Sequence, residues 1–536
     1  MKRTKGIAPL VLVVALTACG SQQPVQQAQV TSLTWAIETQ PITLNPQQWA
    51  QNKVRLLVFN QFDALLSRTA DGSFQPWLAK SWQVSEDELV YTLELRDDVT
   101  FHDGTKFDAA AVKANLDQFR KPGYNPTVAS IQLKSFDKAE VLSPTTLKIT
   151  LTEPDGLFLD FLASPYAGQI SPKSLQSAKD LKFGGPDLVG TGPFILDAFV
   201  QGQEIRYRRN PAYKWPPAGA GHQGPAHLSQ LTYRFLPEAA VRVGALTSGQ
   251  VQVIEGVPAT ETALIKSDPN LTYQSALNSG TAFTYYFNTS HAPFDDQRVR
   301  EAFRAATDLD AVLKAVYQGT ATRAWSVVGK ASPFYDATLE GTFGTDPAKA
   351  NALLDEAGWK ERDAEGFRVK DGKRLTVRTL SASAFIRDRR DVLAQAIQAQ
   401  VKQSAGIDFQ VKIVDQGTAQ KALDDNEYEL FENSRGDSDA GAALNLLLPG
   451  KGAINRTHYS DPQMEKWLAA ATATSDQAER KELYTKVQRL AVTDKAIVLP
   501  IYVPADQIAA QKSVQGLGFD PGSGTPRNAY DVRIGT

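Results

Sequence analysis

One cysteine, Cys19, and two methionines supply all the sulfur in 536 residues. A lone thiol excludes an intrachain disulfide and every multi-cysteine metal motif. The five histidines (His102, His222, His227, His291, His458) include no i, i+4 pair, so a helical His–His metal site is excluded too, and no metal or cofactor is expected. Neither sign of charge dominates, with 57 Lys and Arg against 59 Asp and Glu and a net charge of −2. No basic cluster with interleaved aromatics occurs, which argues against a nucleic-acid partner. After the N-terminal segment no apolar run approaches the roughly 20 residues that span a bilayer. GxSxG, HExxH and Walker-type loops are missing as well, leaving a secreted hydrolase without a recognisable nucleophile or metal. Aromatic residues are plentiful, and 8 Trp, 16 Tyr and 24 Phe suffice to fill cores and line a cleft. A chain of this length outgrows a single core and is expected to form at least two lobes.

The cysteine has a context. Lys2, Arg3 and Lys5 precede the apolar segment 6–16, which ends in Thr17-Ala18, the layout of a signal peptide. Leu16-Thr17-Ala18-Cys19 resembles the lipobox of bacterial lipoproteins, which implies cleavage after residue 18 and lipidation of Cys19. Residues 19–32, rich in Gln and lacking periodicity, read as a flexible tether. Multiple acyl chains, each contributing about 0.8 kcal/mol per buried CH₂, would then hold an extracytoplasmic protein at a membrane.

Further along, the sequence divides into physical pieces. Leu33, Trp35 and Ile37 alternate as a strand closed by Pro41 and Asn45-Pro46. In "LVYTLEL", Leu89, Tyr91, Leu93 and Leu95 fall on one face of a half-buried strand. Asp103-Gly104 predicts a tight turn, and Asp108 caps a helix carrying Val112, Leu116 and Phe119. Asp346-Pro347 opens a helix with Ala350, Leu353, Leu354 and Ala357 inward and Gly358 at its end. Asp295 or Asp296 caps another, and Asp461-Pro462 opens a helical stretch that runs in pieces towards Thr493.

The block from Pro76 to Phe119, with "VGTGPFIL" (189–196), "RRNPAYKW" (208–215), "ALTSGQVQVIEGVP" (245–258), "YFNTSHAPFDDQRVREAFRAATD" (286–308) and "DPAKANALLDEAGW" (346–359), resembles the extracytoplasmic solute-binding proteins of ABC importers, peptide/nickel/opine class. The resemblance implies a two-lobed α/β fold of the periplasmic-binding-protein type, class II, with an extra subdomain in lobe one and the ligand enclosed between lobes. It places lobe one at 33–276, including the subdomain at roughly 60–190, lobe two at 277–500, and a return to lobe one over 501–536. It implies a monomeric receptor that captures a small solute or peptide by lobe closure and delivers it to permease subunits driven by cytoplasmic ATPases, without catalysis. A di- or oligopeptide is the expected ligand; a nickel chelate, an opine, a signalling peptide for a sensor protein, or a hydrolytic role are the alternatives.

The family's dipeptide binders carry an Asp that pairs with the ligand ammonium, and Asp437 is its counterpart here, with Asp439 second. Arg435 stands where an aromatic is usual, and a structural pair between Arg435 and Asp437 or Asp439 is the alternative. The Arg that meets the ligand carboxylate is replaced by Ala384-Phe385, so Arg387 or Arg389 is the candidate, against solvated helix-start charges for both. Tyr285 or Tyr286, on opposite faces of a strand, and Trp35, Glu38, Thr39 and Trp325 complete the candidate set, with a core or rim position as the alternative for each. The Gly/Pro-rich loop holding His222 and His227 is expected to be exposed.

Overall fold

The computed structural model describes residues 31–48, 55–124, 126, 129 and 132–535. The signal peptide, Cys19 and the tether up to residue 30 lie outside the described residues. From Thr31 onward the chain packs as one unit.

Two sheets organise the fold. In the first, seven strands run in the spatial order Leu271–Leu277, Ala505–Gln511, Val253–Glu255, Ser32–Ile37, Gln230–Phe235, Glu204–Arg209 and Phe194–Val200. Ser32–Ile37 lies between two parallel partners. Its alternation sends Leu33, Trp35 and Ile37 into the main core on one side and Ala36 into a smaller core on the other, as period-two geometry requires. The second sheet comprises Thr322–Arg323, Val498–Val503, Phe283–Phe287 and Leu430–Asn433. Beside it, the parallel pair Thr376–Ala382 and Asp408–Val414 is joined by the helix Arg390–Ala405, the long crossover that a parallel pair needs.

A third, antiparallel sheet orders Ala79–Val84, Val90–Leu95, Thr146–Leu151 and Phe136–Ser143. Tyr91, Leu93 and Leu95 are buried in it, the face that the alternating pattern predicts. The Asp108 carboxylate accepts from Ala111 N at 2.9 Å to cap the helix Ala109–Gln118, which buries Val112 and Leu116. Asp296, Asp346 and Asp461 cap Gln297–Ala305, Pro347–Glu356 and Pro462–Thr472 in the same way. After Pro462–Thr472 the helical stretch continues in pieces through Gln477–Arg489 to Leu490–Asp494.

Asp63 explains why "VGTGPFIL" and "RRNPAYKW" lie together. Its buried carboxylate accepts from Thr191 Oγ1 at 2.8 Å, Tyr213 OH at 3.1 Å and Trp215 Nε1 at 3.1 Å. Burial, against these three donors, pushes its pKa up to about 7. Gly190 and Gly192 press on the end of the helix Arg55–Gln61; a Cβ at Gly190 would stand 2.1 Å from the Gln61 carbonyl oxygen. The GTG turn is therefore a packing device. Beside it His102, half-buried and hydrogen-bonded to the Gly192 carbonyl at 2.9 Å, has its pKa lowered to about 4 by desolvation of its ring.

The chain passes from the first sheet to the second over 278–282 and returns at Pro504. Asn278 N donates to Pro504 O at 2.9 Å, so the two crossings run side by side. The boundary expected at 500/501 falls inside the strand Val498–Val503, which stays paired with Phe283–Phe287 and Thr322–Arg323 through Val503. Pro504 follows the last paired residue of that strand, and its carbonyl accepts from the other crossing.

Candidate functional site

The crossings and the turn after Leu430–Asn433 meet. Arg435 N donates to Thr281 Oγ1 and Thr281 N to Arg435 O, each at 2.8 Å. Only glycine fits at 280, since a Cβ there would lie 2.0 Å from the Arg435 carbonyl oxygen. Against this frame a small recess of ≈ 30 Å³ is lined by Arg387, Asp388, Arg435, Asp506, Asn278 and Pro504, among others. That volume is about one water's share of liquid. Arg387 and Arg435, predicted separately from sequence, thus share one recess.

Arg435 pairs with Asp437, Nε to Oδ2 at 2.7 Å. The Asp437 charge raises the Arg435 pKa, outweighing burial, which works to lower it. Opposite them, Tyr166 comes from the turn Pro165–Ala167; burial raises its pKa, and Asp437 adds to the rise while Arg435 and Arg55 oppose it. Arg55 Nη1 donates to Ser438 Oγ at 3.1 Å, and its other terminal nitrogen lies 3.5 Å from Asp520.

Asp439 has a different setting. Its carboxylate caps the helix Ala440–Leu447 through Gly441 N at 2.8 Å, receives Arg480 at 2.9 and 3.0 Å, and receives Arg68 Nη2 at 3.2 Å. Arg68 in turn meets Asp160. All four side chains are at most 5% exposed. Burial works to raise the Asp439 pKa, but Arg480 and Arg68 outweigh it and hold the carboxyl below the usual range. For Asp160 burial prevails over Arg68, and its pKa is raised. Asp439 is thus committed to a buried ion network.

The remaining candidates scatter. Trp35 is wholly buried against Tyr233, with ring centroids 5.7 Å apart, because its strand faces the main core on that side. Tyr285 packs among Phe283 and Phe409, and Tyr286 against Phe431 on the other face; both are buried, since the strand is covered on both sides. Glu38 is half-buried, its N–H donating to Glu255 Oε1 at 3.3 Å, and Thr39 is exposed beside it. Trp325 meets Phe343 edge to face, with Arg323 4.5 Å from the Trp325 ring centroid. In the loop holding the histidine pair, His227 is exposed as expected. His222 is half-buried, its ring 4.0 Å from that of His227 and 4.2 Å from that of Tyr530, because the C-terminal stretch folds back over it. Arg55, Tyr166 and the Arg68–Asp439 contact carry no local sequence signal. They are residues far apart in the chain that only the fold joins.

Residues 73–453 match the family "Bacterial extracellular solute-binding proteins, family 5 Middle". The chain belongs to this family. A glutathione-binding protein, GsiB of Escherichia coli O1:K1 / APEC, is 30% identical over 496 residues, covering 90% of this chain and 91% of the relative. The crystal structure of NikA from Brucella suis in complex with Fe(III)-EDTA has a TM-score of 0.83 at 24% identity, covering 94% of this chain and 99% of that one. A dipeptide-binding protein from Pseudoalteromonas sp. SM9913 in complex with Met-Leu has a TM-score of 0.77 at 20% identity, over 94% and 100%. The family-5 fold expected from sequence is therefore the observed one. Family-5 members are extracytoplasmic solute-binding receptors that work with ABC permeases and are not enzymes. No helix among the described residues is long and apolar enough to cross a membrane.

Proposed function

We propose that this family-5 receptor captures a short peptide between its two bodies, with the charged recess beside the crossings meeting the peptide's charged ends, closes around it and presents it to its permease. The observation that carries the reading is the mixed charge there: Arg387 and Arg435 with Asp388 and Asp506 in one lining, and Asp437 on Arg435. A zwitterionic peptide offers the complementary ammonium and carboxylate groups, and charge-assisted hydrogen bonds are the stronger kind. The E. coli relative named as glutathione-binding makes that tripeptide the first probe. The moving bodies are 33–276 with the C-terminal return, including the subdomain at roughly 60–190, and the segment from 277 to the second crossing. They turn about 278–282 and Pro504. Closure excludes water from the charged groups and gives the permease a distinct shape to recognise. Lipidated Cys19 and the tether hold this monomeric receptor at the outer face of the cell membrane.

The test is native mass spectrometry of the purified protein before and after unfolding, followed by calorimetric titration with glutathione and with Met-Leu. A released peptide, or saturable binding of either probe, is expected. Absence of both, with no rise in melting temperature across a dipeptide and tripeptide panel, sinks the peptide reading. Incorporation of labelled palmitate, abolished in Cys19→Ala, tests the anchor.

A further inference from the structure

The body of the first sheet also touches the other body at a place outside both the recess and the crossings. Two loops do so, the turn 85–89 between Ala79–Val84 and Val90–Leu95, and the loop 152–157 after Thr146–Leu151. Gly156 N donates to Thr472 O at 2.7 Å, and Ser475 N donates to the Glu88 carboxylate oxygens at 2.9 and 3.3 Å. Both bonds fall on one helix junction. Thr472 ends the helix Pro462–Thr472, whose last carbonyls lack partners within the helix, and Ser475 precedes Asp476, the N-cap of Gln477–Arg489. A helix C-terminus is partially negative and an N-terminus partially positive, so an N–H on the first and a carboxylate at the second each match in sign.

Each side of this contact departs from what its own loop would choose. Glu88 has φ 55°, the left-handed region where glycine is the usual residue. Glycine would relax the turn but has no carboxylate to offer Ser475, and strained backbone persists where the surroundings hold it. Gly156 is small for a different reason: a Cβ there would stand 2.0 Å from the Thr474 carbonyl oxygen and 3.4 Å from Arg480 Nε. The aim of its N–H is fixed by Asp155, whose buried carboxylate accepts from Ser135 Oγ at 2.6 Å and from Leu157 N at 2.9 Å. Arg480 connects this contact to the recess. It grips Asp439 at 2.9 and 3.0 Å, and Asp439 follows Asp437 by two residues.

We propose that Glu88 and Gly156 form a latch on the 472–475 junction that sets how long the two bodies stay together, a role that rests on the closure proposed above. Parting the bodies breaks both hydrogen bonds and leaves the groups at both helix ends to water. The latch touches none of the recess residues, so it acts on the release of a captured ligand and leaves its first encounter alone.

Cys19→Ala removes the one thiol of the chain, so Gln83→Cys and Lys481→Cys, both exposed and outside the latch, accept spin labels on the two sides. Pulsed dipolar spectroscopy then reads their separation, without ligand and with excess glutathione. Gly156→Val and Glu88→Gly are each expected to move population from a short separation to a longer one. Glycine suits the left-handed turn at 88, so Glu88→Gly is expected to fold and melt as wild type does. Stopped-flow release of glutathione from Glu88→Gly is expected to quicken about tenfold, as loss of a hydrogen bond to a charged group does, with the association rate little changed. Asp437→Asn is expected to weaken glutathione while leaving the separation in the free protein as it was. Separations identical in wild type and both latch variants overturn the proposal, as does unchanged release from a wild type that binds glutathione. If wild type binds no glutathione, the peptide reading of the recess fails separately, and the separations in the free protein decide the latch.

Discussion

Arg68 and Asp439, 371 positions apart, meet at 3.2 Å in a setting where each side chain is 1% exposed. The contact joins the body of the first sheet to that of the second. Each partner also has a counter-ion on its own side, Asp160 for Arg68 and Arg480 for Asp439. Parting the two bodies therefore separates two neutral pairs rather than two bare charges, and a buried ion contact is compatible with a receptor that opens and closes.

This arrangement predicts an asymmetry between variants. Arg68→Met leaves Asp160 buried without its partner, and removing one member of a buried pair costs about 3–5 kcal/mol. Arg68→Met with Asp160→Leu removes both charges and is expected to recover most of that loss. Urea denaturation midpoints for the two variants are the measurement. An equal loss in the single and the double variant rules out the ion pair as the cause.

Asp63 gives a pH dependence with a definite sign. Its folded pKa, about 7, lies above the ordinary carboxylate value, so the folded state holds a proton that the unfolded state releases. Its contribution is fully present below about pH 4 and is lost as pH rises through about 7. His102 works the other way: its folded pKa of about 4 lies below the ordinary value, so its contribution is present above about 6.5 and lost as pH falls towards 4. The two nearly offset each other in wild type between pH 4 and 6.5. In Asp63→Asn the histidine slope stands alone, and stability relative to wild type is expected to rise steadily from pH 4 to 7. A difference in melting temperature that does not vary with pH would remove Asp63 as the titrating group.

The sequence made a good part of this molecule legible, for a physical reason. Tyr91, Leu93 and Leu95, and the caps at Asp108, Asp346 and Asp461, are local patterns, and local geometry alone decides them. The site was less legible. The pair Arg435–Asp437 spans two residues and was one of the alternatives the sequence offered. Trp35 and Tyr285 sit in alternating apolar runs, a pattern common to core-facing and cleft-facing strands, and both turn inward. Arg55, Tyr166 and the Arg68 network depend on contacts between residues hundreds of positions apart, for which one sequence without relatives holds no signal.

If Asp437 receives the ligand ammonium, Asp437→Asn is expected to weaken peptide binding by about 1.5–3 kcal/mol, the range for hydrogen bonds to charged groups. Arg387→Ala is expected to weaken it comparably through the carboxylate end. Arg387 is 40% exposed on its side chain, so its loss is expected to leave the unfolding midpoint of the free protein nearly unchanged. Titration with glutathione and with its amidated form separates the two ends. Asp437→Asn should weaken both ligands, whereas Arg387→Ala should weaken only the free acid. Equal effects of Arg387→Ala on both forms would remove Arg387 from carboxylate recognition.

Gly280 tests the crossings themselves. A methyl group at this position would stand 2.0 Å from the Arg435 carbonyl oxygen and 3.0 Å from Asp437 N, both backbone atoms that no rotamer change can move aside. Gly280→Ala must therefore push the 278–282 crossing away from the turn that carries Arg435 and Asp437, stretching the paired hydrogen bonds between Thr281 and Arg435. The expected outcome is loss of stability and loss of peptide affinity together, with the cost of overpacking about 1–3 kcal/mol. Gly244→Ala is the control, because a Cβ there meets nothing within 4 Å. It lies within the helix Ala239–Thr247, where alanine is favoured by up to about 1 kcal/mol, so it should stabilise and leave binding alone. Normal affinity in Gly280→Ala, at whatever stability, would detach the recess from the crossings and leave lobe closure without its structural link to the ligand.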